Sequence, residues 1–466
     1  MISVKGRGSA RLAAALLASG LVAAGAIVTA GTAVADDAPP SQGGATATLS
    51  GLKTFDKAVI HEDGKDQRVG AGLFEMAVDN GGTIQTYCID LHNPTQSKAK
   101  YEEKPWSATS LAHNTEAGKI NWVLQNSYPQ VNDLSALAAK AGSGPLTEKT
   151  AAAGTQVAIW RFSDGADVDA VDPAAQKLAD YLEKNAQSLE EPKASLTLDP
   201  PAVSGKSGER LGPIKVHTNA DSVTVTPGDT AASGVKVVDK DGKTVTSAAD
   251  GSELYFDVPA GAADGSASLT AQAATKVPVG RAFASATKSQ TQILAGSSES
   301  TVSATATADW AKKGPIPALS AEKNCAKGGV DITATNKGDE AFTFELLGEK
   351  HTIEAGKSQT ITAPVKEDQA YKFTITGPNG FEKTFSGVLD CKTASTGGGS
   401  GDKTPSSQPS PASAGGGSAD SSGGDLAETG SSSNTPIIAG VAVALVVIGG
   451  GAVFFVRKKK AAPAGE

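Results

Sequence analysis

The chain has 466 residues, a formal net charge of −8 and only 5% aromatic residues. A chain of this length is expected to form about three domains, and its 53 glycines and 23 prolines argue against long buried helical cores. An acidic chain lacks the basic face that binds phosphates, so we expect no nucleic-acid partner.

The N-terminal segment 1–35 has the three parts of a secretory signal peptide. A basic start is followed by an apolar run over residues 12–28, and the small residues that end at Ala35 precede Asp36. We therefore expect cleavage between Ala35 and Asp36 and export of the rest of the chain. An uncleaved N-terminal anchor is the alternative.

Residues 45–192 combine strand and helix signals and predict a mixed α+β domain. The segments 74–78 and 83–91 have strand character, and residues 79–82 between them contain the Asn-Gly pair that is typical of a hairpin turn. The sequence therefore predicts an antiparallel strand pair early in this domain.

Three helices are predicted to follow the hairpin. Apolar spacing indicates helices over 119–126 and 147–162. A third helix is expected to begin at Asp172 and Pro173, because aspartate caps helices and proline suits the first turn.

A glutamine lies on the core-facing side of the second predicted helix. Helical spacing puts Gln156 beside Ala152, Ala153 and Trp160. A buried amide without hydrogen bonds costs about 1–3 kcal/mol, so this side chain needs a partner. A satisfied core glutamine is the plain interpretation, and a chemical partner elsewhere in the chain is the other.

From residue 194 to residue 310 the helical period disappears. Alternating valines and a turn at Asp241-Gly242 predict an all-β domain of the immunoglobulin-like sandwich type. Residues 276–310 have a less regular pattern and are interpreted as the last strands of this domain.

A second all-β unit of the same type is predicted over 319–392. Its expected strands lie near residues 330–335, 341–347, 360–365 and 371–376.

Three cysteines in an exported protein leave one without a partner. Cys325 and Cys391 bracket the last all-β unit, and a disulfide between them would stabilise it by roughly 4 kcal/mol through loop closure. Cys88 is then a free thiol, on the same strand face as Asp90. An inert buried thiol and an intermolecular disulfide remain open as alternatives.

Two tetrapeptides carry a resemblance to a known family. Tyr87-Cys88-Ile89-Asp90, followed later in the same domain by Thr155-Gln156-Val157-Ala158, resembles the thioester domain, also called the TQxA domain, of Gram-positive surface adhesins. The resemblance covers residues 45–192. It implies that the Cys88 sulfur attacks the Gln156 carboxamide, that ammonia leaves, and that an internal thioester remains.

A thioester acylates amines far more readily than an amide does. An amine from a target, such as a lysine, can displace the sulfur and form an isopeptide bond through Gln156. Asp90 and Thr155 are candidates for assisting the proton transfers. Because each molecule reacts once, we expect no enzyme turnover, and we expect no cofactor.

Other roles for Cys88 are weaker. His92 and His113 suggest a Cys-His nucleophile, but no oxyanion signature or orienting third group accompanies them. Cys88 and His92 alone do not complete a metal site, so no metal is expected. The main alternative function is a non-covalent binding or structural wall protein in which Cys88 stays a free thiol.

The C-terminal part of the chain predicts a surface anchor. Residues 393–425 are almost entirely small and polar, which predicts a flexible linker. Residues 437–456 are uncharged and long enough for a transmembrane helix, and the basic tail 457–466 places its end in the cytoplasm.

Between linker and helix lies Leu426-Ala427-Glu428-Thr429-Gly430, and motif, apolar span and basic tail together resemble a sortase sorting signal of the LAxTG type. The resemblance implies cleavage between Thr429 and Gly430 by a sortase, of class E for this variant. Thr429 would then be joined to the peptidoglycan cross-bridge, and the membrane insertion would be transient. A permanent single-pass membrane protein is the alternative.

The sequence therefore predicts a multidomain protein: a mixed α+β thioester head, two all-β immunoglobulin-like sandwiches, a flexible linker and a C-terminal transmembrane helix. The expected function is covalent adhesion from the cell wall to an amine-bearing target whose identity the sequence does not give. A role at the tip of a pilus also remains open, whereas a pilus shaft is disfavoured because no pilin-type lysine motif is present.

Overall fold

The computed structural model describes residues 43–228 and 234–392, with the side chain of Asn379 excepted. The predicted signal peptide, linker, sorting motif and transmembrane segment lie outside the described residues. Within the described ranges, no helix is both long enough and apolar enough to cross a membrane.

β-strands are the main secondary structure of the described residues, and the α-helices lie in the first domain. The helices are α1 (Ala117–Asn126), α2 (Leu134–Ala141), α3 (Glu148–Ser163) and α4 (Pro173–Asn185). The strands up to the last helix are β1 (Thr46–Glu62), β2 (Lys65–Val78), β3 (Thr83–Cys88), β4 (Lys100–Lys104) and β5 (Val168–Ala170).

The strands that follow continue in chain order. They are β6 (Leu196–Asp199), β7 (Ala202–Lys206), β8 (Arg210–Thr218), β9 (Val223–Pro227), β10 (Lys236–Val238), β11 (Ser247–Ala248), β12 (Glu253–Asp257), β13 (Gly265–Lys276), β14 (Ala282–Ser285), β15 (Gln292–Ser297), β16 (Glu299–Ala311), β17 (Pro317–Asn324), β18 (Gly329–Asn336), β19 (Phe342–Leu346), β20 (Glu349–Ile353), β21 (Ser358–Pro364), β22 (Gln369–Thr376) and β23 (Glu382–Leu389).

The first domain is built on a sheet that closes on itself. Its order is β2-β3-β15-β14-β4-β1, and β1 also pairs with β2, so each of these six strands has two antiparallel neighbours. Strand β5 adds to the other end of β1. Closure leaves none of the six strands as an open edge, which removes the unpaired backbone groups that edge strands expose.

Strand β1 bends, and it pairs with both β2 and β4. Its register against β2 shifts between Leu49 and Gly51 and again between Leu52 and Thr54, as β-bulges do. At Gly72 on β2 the φ angle is +154°, and a Cβ atom would lie 2.2 Å from the Thr54 carbonyl oxygen. Glycine at this position therefore lets the two strands approach at the bend.

The returning strands β14 and β15 correct the predicted domain boundaries. The sequence assigns residues 282–297 to the end of the second domain and treats residues 45–192 as the whole of the first. Instead, β14 pairs with β4, and β15 pairs with β3. The prediction for 282–297 is wrong because a closed sheet can take its last two strands from any point in the chain.

The predicted helices are present with small shifts at their ends. Thr147 and Thr150 form a reciprocal capping box at the start of α3, and the Asp172 carboxylate caps α4 ahead of Pro173. Helix α2 is an addition to the three predicted helices. Helix α3 packs against α4, and a Cβ atom at Gly154 would lie 2.5 Å from the Ala175 carbonyl oxygen. The glycine therefore allows the close contact that fixes α3.

The second domain is all-β, as predicted, with two sheets. One has the order β10-β12-β8-β6 and the other β11-β9-β13-β16-β7. The predicted alternation is present on β9, where Val223 and Val225 are buried. The immunoglobulin-like topology itself remains a prediction.

The third domain is also all-β and has its own apolar core. Strands β17, β18 and β21 form one sheet, and β19-β20 and β22-β23 form two hairpins. All four predicted strands occur here. The predicted disulfide between Cys325 and Cys391 is present, and Cys88 is free.

A buried ion pair joins the places where the chain leaves the first domain and returns to it. Arg281 and Glu103 are 4% and 2% exposed, and the Arg281 Nε donates to Glu103 Oε1 at 2.9 Å. Glu103 also accepts hydrogen bonds from Ser195, which lies at the start of the second domain. The second guanidinium contact is to Glu191 at 2.6 Å. This cluster connects β4 and the start of β14 to residues 191–195, where the chain leaves the first domain.

Replacing Arg281 by methionine should destabilise the first domain. The Arg281→Met variant leaves the Glu103 carboxylate buried without its cation, which typically costs about 3–5 kcal/mol of unfolding free energy. Urea unfolding followed by tryptophan fluorescence measures the change. The control is Arg210→Met, since Arg210 is exposed, and it should change stability by less than about 0.5 kcal/mol. Equal effects of the two variants would contradict this account of the cluster.

Candidate functional site

The two residues of the predicted thioester come from different layers of the first domain. Cys88 is the last residue of β3, and Gln156 lies in the middle of α3. Both side chains are fully buried at 0% exposure. The packing of α3 against the closed sheet therefore brings together the two residues that the sequence singled out.

The Gln156 carboxamide is held by the backbone of Cys88. The Cys88 N–H donates to Gln156 Oε1 at 3.0 Å, and Gln156 Nε2 donates to the Cys88 carbonyl oxygen at 2.8 Å. These two bonds meet the hydrogen-bonding need that the sequence raised for a buried amide. They also hold the amide against the residue whose sulfur would attack it.

The Cys88 thiol is surrounded by protein and resists ionisation. Burial is the main reason that its pKa lies well above the usual value, and the negative charge of Asp164 raises it further. The indole N–H of Trp160 and the backbone N–H of Asp90 oppose the shift. The Asp90 N–H lies 3.3 Å from the sulfur. The sulfur is thus a neutral thiol with two nearby N–H groups that favour charge on it.

Asp90 lies beside the thiol through its backbone N–H, but the predicted strand face is wrong here, because β3 ends at Cys88 and Asp90 lies beyond it. It is 1% exposed, and burial raises its pKa to about 7. Its Oδ2 accepts a hydrogen bond from Asn93 at 2.5 Å. Its Oδ1 is buried without a hydrogen-bond partner of normal geometry among the described residues, although the nearby Thr291 N–H opposes the rise in its pKa. A carboxyl group with a pKa near neutrality and one free oxygen can take up or release a proton.

A second carboxyl group lies at the end of α3. Asp164 accepts a hydrogen bond from the Leu91 N–H at 2.9 Å and one from the Ser163 hydroxyl at 2.5 Å. Burial raises the pKa of Asp164 to about 6. Nothing in the sequence marks this residue, because a helix-ending aspartate gives no signal that separates it from an ordinary cap.

Aromatic side chains close the site from water. Tyr87 and Trp160 are 0% and 1% exposed, and the Tyr87 hydroxyl donates to the Tyr128 carbonyl oxygen at 2.7 Å. The Trp160 Nε1 is buried without a hydrogen-bond partner of normal geometry in the described residues. Thr155 is fully buried, but its hydroxyl donates to the Ala151 carbonyl oxygen at 2.8 Å. That contact serves the helix, so the structure gives Thr155 no direct hydrogen bond to the reacting amide.

The two histidines considered with Cys88 are engaged elsewhere. His92 Nε2 lies 3.1 Å from Glu62 Oε1, and His113 Nε2 lies 2.8 Å from the Cys325 carbonyl oxygen in the third domain. Neither contact presents a base to the thiol. The geometry of these described residues therefore does not favour a Cys-His hydrolase.

Two glutamines that the sequence did not assign to the site lie beside it. Gln292 on β15 is the backbone partner of Cys88 in the sheet, and Gln290 donates through Nε2 to the Asp90 carbonyl oxygen at 3.0 Å. Both are 0% exposed. The only sequence signal for them is the unusual run of polar residues at 289–292, in a segment assigned to another domain.

One acidic cluster in the described residues has metal-ligand spacing. Carboxylate oxygens of Glu367, Asp368 and Asp390 lie within 4.8 Å of one another. Asp368 Oδ2 is 2.7 Å from the Lys288 ammonium group, and Glu367 Oε1 accepts the Cys391 N–H at 2.6 Å. These contacts already give Asp368 a cationic partner and Glu367 a hydrogen-bond donor without a metal ion.

A cavity of about 780 Å³ lies where the third domain meets the first. It is lined on one side by His113 and Ser163 and on the other by Cys325 and Cys391, among other residues. Of these lining residues, Ser163 donates a hydrogen bond to Asp164.

Replacing Asp90 by asparagine should stabilise the protein in a pH-dependent way. A carboxyl whose pKa is raised from 3.8 to about 7 on folding weakens stability as the pH rises from about 4 to about 7, because the folded state holds a proton that the unfolded state has released. The amide that replaces it does not titrate. In a Cys88→Ala background, Asp90→Asn should add up to about 4 kcal/mol at about pH 8 and much less at about pH 4.

Urea unfolding at several pH values measures this difference. The control is Asp257→Asn, since Asp257 is exposed on β12, and the gain for Asp90→Asn is compared with it at each pH. A stability gain for Asp90→Asn that is the same at both pH values would show that Asp90 is ionised throughout.

Comparison with known families gives one match that spans the segment in which Cys88 and Gln156 lie. Residues 85–188 match the family model of the thioester domain, and this segment contains both Cys88 and Gln156. Residues 317–388 match the family model of the bacterial phospholipase C C-terminal domain. None of the curated proteins compared with the chain matches it.

Two solved structures are similar to the chain at low identity. The Bacillus anthracis TIE protein is 14% identical, with a TM-score of 0.27, and the match covers 75% of this chain and 81% of that one. The thioester domain of the Enterococcus faecium TIE86 protein is 15% identical, with a TM-score of 0.26, and covers 57% of this chain and 97% of that one. TM-scores this low do not establish a shared fold, so the family match carries the assignment: residues 85–188 are similar to the thioester domain.

Proposed function

We propose that this protein is a surface adhesin whose Cys88–Gln156 thioester joins it covalently to an amine on its target. The observation that carries the proposal is the clamp on the Gln156 carboxamide by both peptide groups of Cys88, in a fully buried site within the matched segment. The less specific statement, that the chain contains a domain of the thioester type, rests on the family match.

Formation of the thioester needs an attack, a proton acceptor and a leaving group. The Cys88 sulfur attacks the Gln156 carbonyl carbon, the thiol proton goes to the departing nitrogen, and ammonia leaves. The Cys88 N–H donates a hydrogen bond to the Gln156 carbonyl oxygen, where negative charge develops during the attack. Asp90, with its pKa of about 7, is suited to carry the proton between sulfur and nitrogen.

Reaction with the target reverses the role of the sulfur. The target amine attacks the same carbonyl carbon, the carbon–sulfur bond breaks, and the Cys88 thiol is regained with a proton from the amine. The product is an amide, and the raised pKa of the freed thiol keeps it in the protonated form. An amide is a far weaker acyl donor than a thioester, so the attachment is not readily reversed.

The chemistry is a single event in each molecule rather than a cycle. The acyl group stays on the target, so nothing regenerates the thioester. We therefore propose that the protein is not an enzyme and needs no cofactor. A covalent bond persists under shear that would separate a non-covalent complex, which suits an adhesin.

We further propose that the protein is attached to the cell wall. The signals are the export segment that ends at Ala35 and the LAETG motif at 426–430, followed by an apolar span and a basic tail. A sortase, of class E for this motif, would join Thr429 to the peptidoglycan cross-bridge after transient membrane insertion. Residues 393–425 would then hold the folded domains away from the wall.

A non-covalent binding or structural wall protein is the competing function. It would keep the same fold, with Cys88 as an unreacted buried thiol. The free cysteine of the present structure is compatible with it, because the reactive pair has the same hydrogen-bonded geometry before the thioester forms.

Reaction with methylamine tests the proposal. If the thioester is present, the protein should lack about 17 Da for the lost ammonia and should gain about 31 Da when methylamine opens it. Cys88→Ala and Gln156→Ala should abolish both mass changes. Intact-mass spectrometry of residues 36–392, which contain all the described domains, measures them.

The opposite outcome is equally clear. Full mass, no methylamine adduct and a Cys88 thiol that reacts with thiol reagents after unfolding would reject the covalent function. That result would leave the non-covalent binding function.

A further inference from the structure

We propose that Gln290 and Gln292, on the segment that returns from the second domain, are positioning residues for the thioester chemistry at Cys88. The inference rests on the proposed function and extends it to residues outside the segment that matches the thioester domain. It follows from a continuous chain of hydrogen bonds between buried side chains.

The chain of hydrogen bonds begins at Gln292. This residue faces Cys88 directly in the sheet, and its Oε1 accepts a hydrogen bond from the Thr86 hydroxyl at 3.0 Å. Its Nε2 donates to Gln290 Oε1 at 3.1 Å. Gln292 therefore holds β3 at Thr86, two residues before Cys88.

Gln290 completes the chain on the other side of the cysteine. Its Nε2 donates to the Asp90 carbonyl oxygen at 3.0 Å. Between the two glutamines, the Thr291 carbonyl oxygen accepts the Ile89 N–H at 3.1 Å. The returning segment thus contacts the backbone on both sides of Cys88, just where β3 ends.

This support acts on the groups that touch the reacting atoms. The Asp90 N–H lies 3.3 Å from the Cys88 sulfur, and the peptide groups of Cys88 hold the Gln156 amide. Both depend on the backbone direction after Cys88, since the regular strand stops there. The hydrogen bond from Gln290 fixes the Asp90 carbonyl oxygen. It therefore restrains Asp90, whose own N–H faces the sulfur.

The returning segment is itself held on both sides. The Tyr101 hydroxyl donates to the Gln290 carbonyl oxygen at 2.8 Å. On the outer side, the Lys288 ammonium group is 2.7 Å from Asp368 in the third domain. The site is therefore completed by parts of the chain that follow the matched segment, and the thioester should form only after β15 has joined the sheet.

Substitution of Gln290 in the full chain tests the inference. The Gln290→Leu variant removes the donor to Asp90 and leaves that carbonyl oxygen buried without its partner. We expect the rate of methylamine incorporation, or the fraction of molecules that contain a thioester, to fall about ten-fold or more relative to wild type. Peptide mass spectrometry of the Cys88 and Gln156 peptides measures both quantities.

Gln130→Leu is the matched control. Gln130 Nε2 donates to the Ala295 carbonyl oxygen at 2.7 Å, so this variant also removes an amide hydrogen bond to β15, but farther along the strand from Cys88. Its thioester fraction and methylamine rate should equal those of wild type within about two-fold.

The Gln290→Glu variant separates positioning from general loss of structure. An ionised glutamate repels the Asp90 carbonyl oxygen, whereas the protonated acid can donate to it as the amide does. Burial raises the pKa of a carboxyl group, so the defect relative to wild type should be large at about pH 8 and should shrink at about pH 5. Because a buried, ionised glutamate also lowers the stability of the fold at about pH 8, urea unfolding of the variant is measured at both pH values. The positioning role requires the chemical defect at a pH at which the variant is still fully folded.

The outcomes distinguish failure of the positioning role of Gln290 from failure of the proposed function. If wild type contains a thioester and Gln290→Leu behaves like Gln130→Leu, or if Gln290→Glu shows the same defect at both pH values, the positioning role is overturned. If wild type contains no thioester, the proposed function is overturned, and this inference with it.

Discussion

The two hydrogen bonds between the Gln156 side chain and the backbone of Cys88 are the contact on which the site depends. They join the central helix of the first domain to the end of a strand in its closed sheet. A buried amide needs such partners for stability. Here the partners belong to the residue that carries the nucleophile, so the same bonds that satisfy the amide also orient it.

The surroundings of this contact keep water away from the reacting atoms and disfavour charge on them. Cys88, Gln156 and Tyr87 are fully buried, and Trp160 is nearly so. In this environment ionisation is unfavourable, and the pKa values of Cys88 and Asp90 are both raised. An enclosed thioester is protected from hydrolysis in the same way, because an attacking water would have to enter a packed interior.

The architecture around the site is discontinuous in sequence. The chain leaves the first domain near Pro192, forms most of the second domain and returns for β14 and β15 before it completes the second domain with β16. The buried Arg281–Glu103 pair lies at this crossing. Stability of the reactive domain is therefore coupled to the second domain, and the two are expected to unfold together rather than as independent units.

Much of the site could be predicted from sequence because its signals are local. The Asn-Gly hairpin, the helix caps at Thr147 and Asp172 and the Cys-Gln pair each depend on neighbours in the chain. The pairing of Cys325 with Cys391 followed from their positions at the two ends of one domain.

The strands β14 and β15 could not be predicted from the same kind of signal. Their residues are buried on both faces, so they lack the alternation that marks a half-buried strand. The polar residues in and just before β15, among them Gln292 and Gln290, are typical of a loop when the buried partners are unknown. The pairing of Gln292 with Cys88 is set by tertiary contacts that no local pattern contains.

A crystal structure of the unreacted protein, determined without added amines, is the most direct test of the central claim. The account predicts continuous electron density between the Cys88 sulfur and the Gln156 side-chain carbonyl carbon, with no nitrogen on that carbon. Separate density for a free thiol and for an intact carboxamide, hydrogen-bonded to the Cys88 backbone as described above, would contradict the claim that the two residues form a thioester.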